Sequence, residues 1–148
     1  MKILSVINGT IKQLENVDDE AFSQKMMGDG IAITPTDGLV VSPCDGKVKM
    51  IFPTQHAIGI ESNDGVEILI HIGIDTVNMN GDGFIGLIQQ GEEVCCGEPV
   101  IQFDIDKVND AGYPIDVMVI VTNMANHKNI KKTSASNVKT GDELLVLE

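Results

Sequence analysis

The sequence is poor in aromatic residues and in positive charge, and both shortages limit what the protein can bind. It contains no tryptophan and one tyrosine among 148 residues, so we expect no platform for stacking nucleobases. The formal net charge is −12 at pH 7, whereas nucleic-acid binding needs a basic footprint. We therefore predict no nucleic-acid partner. An acidic surface instead suits solubility or a basic protein partner.

Cysteines and long apolar runs are also scarce. Cys44, Cys95 and Cys96 form no C-x-x-C pair and cannot supply a disulfide framework. Adjacent cysteines are poorly placed to bridge each other, and we assign Cys95 and Cys96 no role. There is no signal-peptide pattern, and no apolar run approaches the roughly 18 residues of a membrane span. These absences predict a cytoplasmic protein without direct membrane insertion.

The chain does contain many short apolar runs, rich in valine and isoleucine and separated by glycine, proline, asparagine and aspartate. This pattern predicts an all-β protein, an antiparallel sandwich or flattened barrel. One or two short helical turns are expected at 18–27, capped by Asp18 or Asp19, and at 85–90. No linker divides the chain, so we expect one domain, 1–148. The apolar runs are 30–33, 39–41, 47–52, 57–61, 66–74, 100–103, 117–122 and 144–147.

Two segments near the C-terminus repeat one pattern. The segment 94–103 parallels 138–147, at an offset of 138 − 94 = 44. Each has a valine, then a tight turn with glycine and an acidic residue, then a strand-like run. Two β motifs related by pseudo-symmetry would produce this repeat, although glycine-rich hairpins can also resemble each other by chance.

His71 is the most informative residue, because it places a titratable ring within an aliphatic strand. Side chains alternate between the two faces of a strand. Val66, Ile68, Ile70 and Ile72 then share the core face, and His71 shares the other face with Leu69. We therefore expect the His71 ring to point away from the core.

A second histidine, His56, is predicted to lie beside His71. Residues 55–61 form another strand, and Asn63-Asp64-Gly65 has hairpin-turn chemistry. With Asn63 and Asp64 at the tip, His56 and His71 are direct cross-strand neighbours. A tip at Asp64 and Gly65 places them on a diagonal of the same face. A register shifted by one residue would separate them.

Two facing imidazoles permit two kinds of chemistry, besides the alternative of two structural histidines bonded to backbone carbonyls. Their charges would repel, so at least one ring should be neutral near pH 7. A neutral imidazole can accept a phosphoryl group while its neighbour and the Thr54 hydroxyl stabilise the transferred oxygens. Alternatively, both histidines with Asp75, or with a carboxylate from a partner, could bind zinc. We expect no dedicated metal site and no cofactor.

Three segments together identify a family resemblance. The sequences His71-Ile-Gly-Ile-Asp75-Thr-Val, Thr54-Gln-His56-Ala and 27–35 closely resemble the glucose-type enzyme IIA components of the bacterial phosphoenolpyruvate-dependent sugar phosphotransferase system. The resemblance extends over nearly the whole chain, including its Val138-Lys-Thr-Gly-Asp ending. A lysine before methionine, as in 46–50, also occurs in biotin- or lipoyl-attachment domains, but Val48 stands where those have a second methionine.

The resemblance implies a β-sandwich built on a duplicated motif and a role for each site residue. His71 would carry the phosphoryl group on Nε2, His56 would stabilise it, and Thr54 would orient His56. The donor would be phospho-HPr, and the acceptor a cysteine of the IIB domain of a sugar permease. The partner-binding face would comprise the residues Asp19, Phe22, Met26, Met27, Phe52, Leu69, Asp75 and Val77. Several of its apolar members should be unusually exposed.

An alternative function is a regulatory binding module, whose unphosphorylated face docks onto transporters or metabolic enzymes. The two functions are compatible. The sequence does not identify the sugar, which could be glucose or a related one. We expect a monomer, and a free-standing protein rather than a domain of a longer permease.

Overall fold

The computed structural model describes residues 1–124, 127 and 129–148 and is dominated by antiparallel strands. Within these residues the helices are α1 (Glu20–Ser23), α2 (Ile105–Asp110) and two 3-10 turns, Leu14–Asn16 and Thr76–Met79. The strands are β1 (Lys2–Leu4), β2 (Gly9–Lys12), β3 (Asp29–Pro35), β4 (Leu39–Val41), β5 (Gly46–Ile51), β6 (Ala57–Ser62), β7 (Glu67–Ile72), β8 (Phe84–Gly86), β9 (Glu93–Val94), β10 (Pro99–Phe103), β11 (Val117–Val121), β12 (Ile130–Lys132), β13 (Asn137–Val138) and β14 (Glu143–Leu147).

The strands form one large sheet and two small ones. The large sheet has the order β13-β2-β3-β11-β7-β6-β5-β9, and the small sheets have the orders β1-β14-β12 and β4-β10-β8. The strand orders are symmetric when the chain is divided into two copies of one motif, with β1–β3 and β11–β14 in one copy and β4–β10 in the other. Each copy then contributes half of the large sheet and one of the small sheets. The sheets are open, with β13 and β9 at the edges of the large one. The predicted sandwich with a duplicated motif is therefore confirmed.

Equivalent residues of the two copies support the duplication. Ser5 is buried and donates its hydroxyl to the Ile7 carbonyl, and Ser42 donates in the same way to the Cys44 carbonyl, at 2.8 and 2.7 Å. The predicted repeat is also observed, because 94–103 spans β9 to β10 and 138–147 spans β13 to β14. The repeat thus reflects pseudo-symmetry rather than chance.

The main core lies between the large sheet and the two small sheets. Ile68, Ile70 and Ile72 of β7 point into it, as alternation predicts, and all three are at most 2% exposed. On the opposite face of the large sheet, Leu69 joins a smaller apolar cluster covered by the segment 14–22. The segment 14–22 therefore covers part of the sheet face from which His71 projects, and the site lies beside this segment.

Each of the predicted apolar runs overlaps a strand, whereas only one of the two helix predictions was right. Helix α1 lies within 18–27, and the Asp19 carboxylate caps it by accepting from the Ala21 N–H at 2.8 Å. The helix predicted at 85–90 is wrong, since Ile85 lies in β8, whose backbone pairs with β10. Pairing with a neighbouring strand overrides weak local propensity. Helix α2, with Asp104 as its N-cap, was not predicted.

The predicted register of the β6–β7 hairpin is also wrong, by one residue. Ala57, and not His56, lies opposite His71. The loop has three residues, Asn63 to Gly65, rather than the two assumed, and Gly65 adopts φ +84° at its end. A three-residue loop ending in a left-handed glycine is a common hairpin connection, and it changes the pairing by one position.

Candidate functional site

His71 projects from the outer face of β7 with one ring nitrogen held by the backbone. Its Nδ1 lies 2.8 Å from the Gly73 carbonyl oxygen. Because a carbonyl can only accept, Nδ1 must carry the proton and Nε2 must carry the free lone pair. The ring is half-buried, with Phe22 packed against it at a centroid distance of 5.1 Å. His71 thus presents Nε2 as a fixed nucleophile.

Gly73 is held in the conformation that this bond needs. Its φ is +75°, and a Cβ at this position would lie 2.4 Å from Thr76 Cγ2. Its N–H donates to the Asp116 carbonyl at 2.8 Å. The Asp116 side chain is buried and accepts from Lys12 and Thr34, both at 2.9 Å. Lys12 of β2 and Thr34 of β3 therefore hold Asp116, which directly precedes β11, and Asp116 in turn holds the residue whose carbonyl selects the His71 tautomer.

The His56 ring lies beside His71, as predicted. The ring centroids are 4.9 Å apart at an interplanar angle of 82°, an edge-to-face arrangement. His56 is only 2% exposed. The Thr54 hydroxyl oxygen lies 2.5 Å from its Nδ1. When Thr54 donates to Nδ1, the proton resides on Nε2 and can be offered to an oxyanion.

A turn before β6 explains why the rings meet in a register that would separate them in regular strands. Gln55 adopts φ +59°, and its N–H donates to the Phe52 carbonyl at 2.7 Å. Its side-chain oxygen accepts from the Gly86 N–H at 2.6 Å. His56 follows this left-handed residue and precedes β6, so strand alternation does not govern its ring. Gln55 and Gly73 were not identified from the sequence as residues that position the rings. Of the two, only Gly73 could have been found, because a glycine at the end of a strand is a sign of positive φ.

Both imidazoles are neutral near pH 7. Burial, followed by the neighbouring His56, lowers the pKa of His71 to about 4, against the opposing effects of the Gly73 carbonyl and Asp19. Burial also lowers the pKa of His56 below its ordinary value. The nucleophilic form of His71 is therefore populated at physiological pH.

The apolar residues expected to form a partner-binding face differ in their exposure. Met26, Met27 and Val77 are 72, 39 and 48% exposed, which confirms that several apolar members are exposed. Phe22 and Leu69 are not, at 4 and 8%, because both pack into the smaller apolar cluster.

The remaining members of the face lie at intermediate positions or at the surface. Phe52 is half-buried, with its ring 5.3 Å from that of His56. Asp19 is also half-buried, and Asp75 is exposed at φ +60°. The Asp19 carboxylate acts electrostatically on the His71 ring, where it opposes the lowering of the pKa by burial.

The zinc alternative with Asp75 is not supported. Within the described residues, no three side chains of His, Cys, Asp or Glu are grouped closely enough to hold a metal ion. The cysteines do not contribute to the histidine site either. Cys44 is buried, and burial raises its pKa to about 12, which makes it a poor nucleophile.

A β-sandwich that places two neutral, facing imidazoles on one sheet has the architecture implied for a IIA component of the sugar phosphotransferase system. Residues 1–127 match the family model described as phosphoenolpyruvate-dependent sugar phosphotransferase system, EIIA 1. The chain is 42% identical over 144 residues to the PTS system glucose-specific EIIA component of Halalkalibacterium halodurans, covering 97% of this chain and 83% of that protein.

The structural comparison agrees. The glucose permease IIA of Mycoplasma capricolum superposes with a TM-score of 0.92 at 39% identity, covering 98% of this chain and 94% of that one. The chain belongs to the EIIA type 1 family of this system and is a phosphocarrier component of sugar uptake. No helix in the described part of the chain is long and apolar enough to cross a membrane.

Proposed function

We propose that His71 Nε2 accepts a phosphoryl group from phospho-HPr and passes it to the cysteine of a sugar-permease IIB domain. The observation that carries the proposal is the 2.8 Å contact between His71 Nδ1 and the Gly73 carbonyl. It leaves the Nε2 lone pair free on a neutral ring. In the first step the Nε2–P bond forms while the donor's N–P bond breaks. In the second it breaks while a P–S bond forms.

His56 stabilises the group during onward transfer. Its ring lies within 4.9 Å of His71, and an Nε2 proton, present when Thr54 donates to Nδ1, can bond a phosphoryl oxygen. Phosphoryl transfer requires mainly positioning and charge stabilisation. The chain contains no arginine, so any guanidinium group that stabilises the phosphoryl group must come from a partner. We expect Asp19 and Asp75 to meet basic groups of HPr.

The docking face is proposed to be the apolar surface beside the rings. Met26, Met27 and Val77 supply its exposed part, and half-buried Phe52 continues it toward His56. Buried Phe22 and Leu69 support this surface from beneath. A partner covering it would exclude water from the phosphoryl group, which strengthens electrostatic stabilisation.

Phosphorylation with labelled phosphoenolpyruvate, enzyme I and HPr tests the acceptor. The wild type and His71→Gln should be compared, with His127→Gln as the control because His127 is the third histidine of the chain and is not part of the pair. Acid-labile, base-stable label should appear on the wild type and the control and be absent from His71→Gln. Label on His71→Gln would refute the assignment.

Onward transfer tests His56. The His56→Gln variant should still accept the label from HPr but pass it slowly to a IIB domain. Transfer at the wild-type rate would contradict the role proposed for His56. Because the named relatives are glucose components, we propose glucose or a related sugar. Preferential transfer to the IIB domain of a glucose permease over that of an N-acetylglucosamine permease would support glucose itself, and the reverse preference would contradict it.

A further inference from the structure

The two small sheets occupy corresponding positions in the two copies of the motif, but the residues on their outward-facing sides differ. The offset that relates Val94 to Val138 also relates Gln102 of β10 to Val146 of β14. Gln102 lies between Leu39 and Ile85, its direct neighbours on β4 and β8. Val146 occupies the equivalent place between lysines, which the pairing identifies as Lys2 and Lys131.

On the outward-facing side of the sheet β4-β10-β8, the apolar residues are exposed although the fold does not require apolar residues there. Leu39 is 40% and Ile85 is 59% exposed. Their neighbours along the strands, Val40 and Phe84, point into the core, so alternation directs Leu39 and Ile85 outward. Since the same fold carries lysine at both equivalent positions, exposed apolar side chains here are not needed for folding. We call Leu39, Gln102 and Ile85 the Leu39–Ile85 patch.

An acidic cleft adjoins the patch. Its volume is about 670 Å³, and its lining includes Ile85 and Gln102 of the patch. Three carboxylates line it, those of Asp37, Asp104 and Asp106. The single lysine of the lining, Lys107, is bonded to Asp82 at 3.0 Å. The patch therefore combines apolar contact area with an excess of negative charge at its border.

We propose that the Leu39–Ile85 patch docks a segment of a partner protein in which apolar and basic residues alternate. Apolar side chains would cover Leu39 and Ile85, and lysine or arginine would reach the carboxylates of the cleft. A second copy of this chain fits poorly, because its net charge is −12 and the cleft beside its own patch is acidic as well. An anionic membrane surface is excluded on the same ground.

The patch is separate from the His71 site. The main core lies between β4-β10-β8 and the large sheet, and His71 points away from that core on the opposite side. A partner on the patch would leave the two imidazoles accessible. The proposal does not depend on the phosphoryl-transfer assignment, and it adds a second interaction surface to a phosphocarrier component.

A short peptide of alternating leucine and lysine is the probe, and its alternating leucine–glutamate counterpart is the matched control peptide. Amide shifts in a two-dimensional NMR titration should change around Leu39, Ile85 and Gln102 with the basic peptide alone. The double variant Leu39→Gln/Ile85→Gln should weaken binding about tenfold. Asp37→Asn/Asp106→Asn should weaken it as well.

The control variant Lys2→Gln/Lys131→Gln changes the equivalent positions of the other small sheet and should bind at least as tightly as the wild type. Shift changes centred on His71, or spread over the surface, would overturn the proposal, as would unchanged affinity in Leu39→Gln/Ile85→Gln. A concentration-dependent dimer in sedimentation that this variant abolishes would assign the patch to a second copy instead. Binding of the wild type, but not of this variant, to phosphatidylcholine vesicles would assign it to a membrane.

Discussion

Acidification should destabilise the folded protein through His71. An unfolded histidine has a pKa of 6.5, whereas burial and His56 lower the pKa of His71 to about 4 in the fold. Between these values the unfolded chain binds more protons than the folded one, so the free energy of unfolding falls as pH decreases. The contribution of His71 is fully present above about pH 6.5 and is lost by about pH 4.

The size of the effect follows from the two pKa values. The interval from 6.5 to about 4 corresponds to at most about 3 kcal/mol, at 1.36 kcal/mol for each pKa unit. His56 adds a contribution of the same sign, since burial lowers its pKa too. Urea denaturation at a series of pH values from 8 to 4.5, followed by circular dichroism, measures the free energy of unfolding.

Comparison with variants isolates the contribution of His71 from that of the carboxylates, whose protonation also changes the net charge of −12. The His71→Gln variant should lose less stability on acidification than the wild type. If His71→Gln and the wild type show the same dependence between pH 7 and pH 4.5, the reasoning from burial is refuted. An NMR titration of His71 should place its midpoint near 4, well below that of an exposed histidine.

Three further variants test the supports of the site. Gly73→Ala should lower the free energy of unfolding by about 1–3 kcal/mol more than the control Gly65→Ala does. Both glycines have positive φ, but only a Cβ at position 73 would collide with Thr76. Equal losses in urea denaturation would contradict this prediction. Asp116→Ala should cost about 1–3 kcal/mol by leaving Thr34 and Lys12 without their acceptor, whereas Asp82→Asn, which breaks an exposed ion pair, should cause no measurable change. Thr54→Val should retain phosphoryl acceptance on His71 and slow onward transfer, and unchanged transfer would remove Thr54 from the mechanism.

The sequence predicts the sandwich well because its evidence is local. Alternation along 66–72 is a property of single strands, and it correctly places Ile68, Ile70 and Ile72 in the core and His71 outside it. The repeat at 94 and 138 likewise survives in the sequence, because both copies need the same tight turn. Strand order could not be derived this way, since β7 pairs with β11, which follows it by a long stretch of chain.

The proximity of His56 and His71 was predicted, whereas the residues that hold the two rings in place were missed. The expected pairing of His56 with His71 assumed a two-residue tip, and the actual three-residue loop shifted the register by one position. Proximity was restored by the left-handed conformation of Gln55, which no pattern of polar and apolar residues reveals. Burial of Phe22 was missed for a similar reason, because only the tertiary fold brings α1 over the His71 ring.

The different partners of the two Nδ1 atoms give the two histidines different chemical capacities. The partner of His71 is a carbonyl, which only accepts, so this ring is held in one tautomer with a permanently available Nε2. The partner of His56 is a hydroxyl, which both donates and accepts, so this ring can place its proton on either nitrogen. A residue that carries a phosphoryl group needs the first property, because its nucleophilic atom must not be protonated. A residue that stabilises the group only while it moves benefits from the second, since it can offer an Nε2 proton when an oxyanion is present and withdraw it afterwards. This difference in hydrogen-bond partners is the physical basis for the proposal that His71 accepts the phosphoryl group and that His56 acts in its onward transfer.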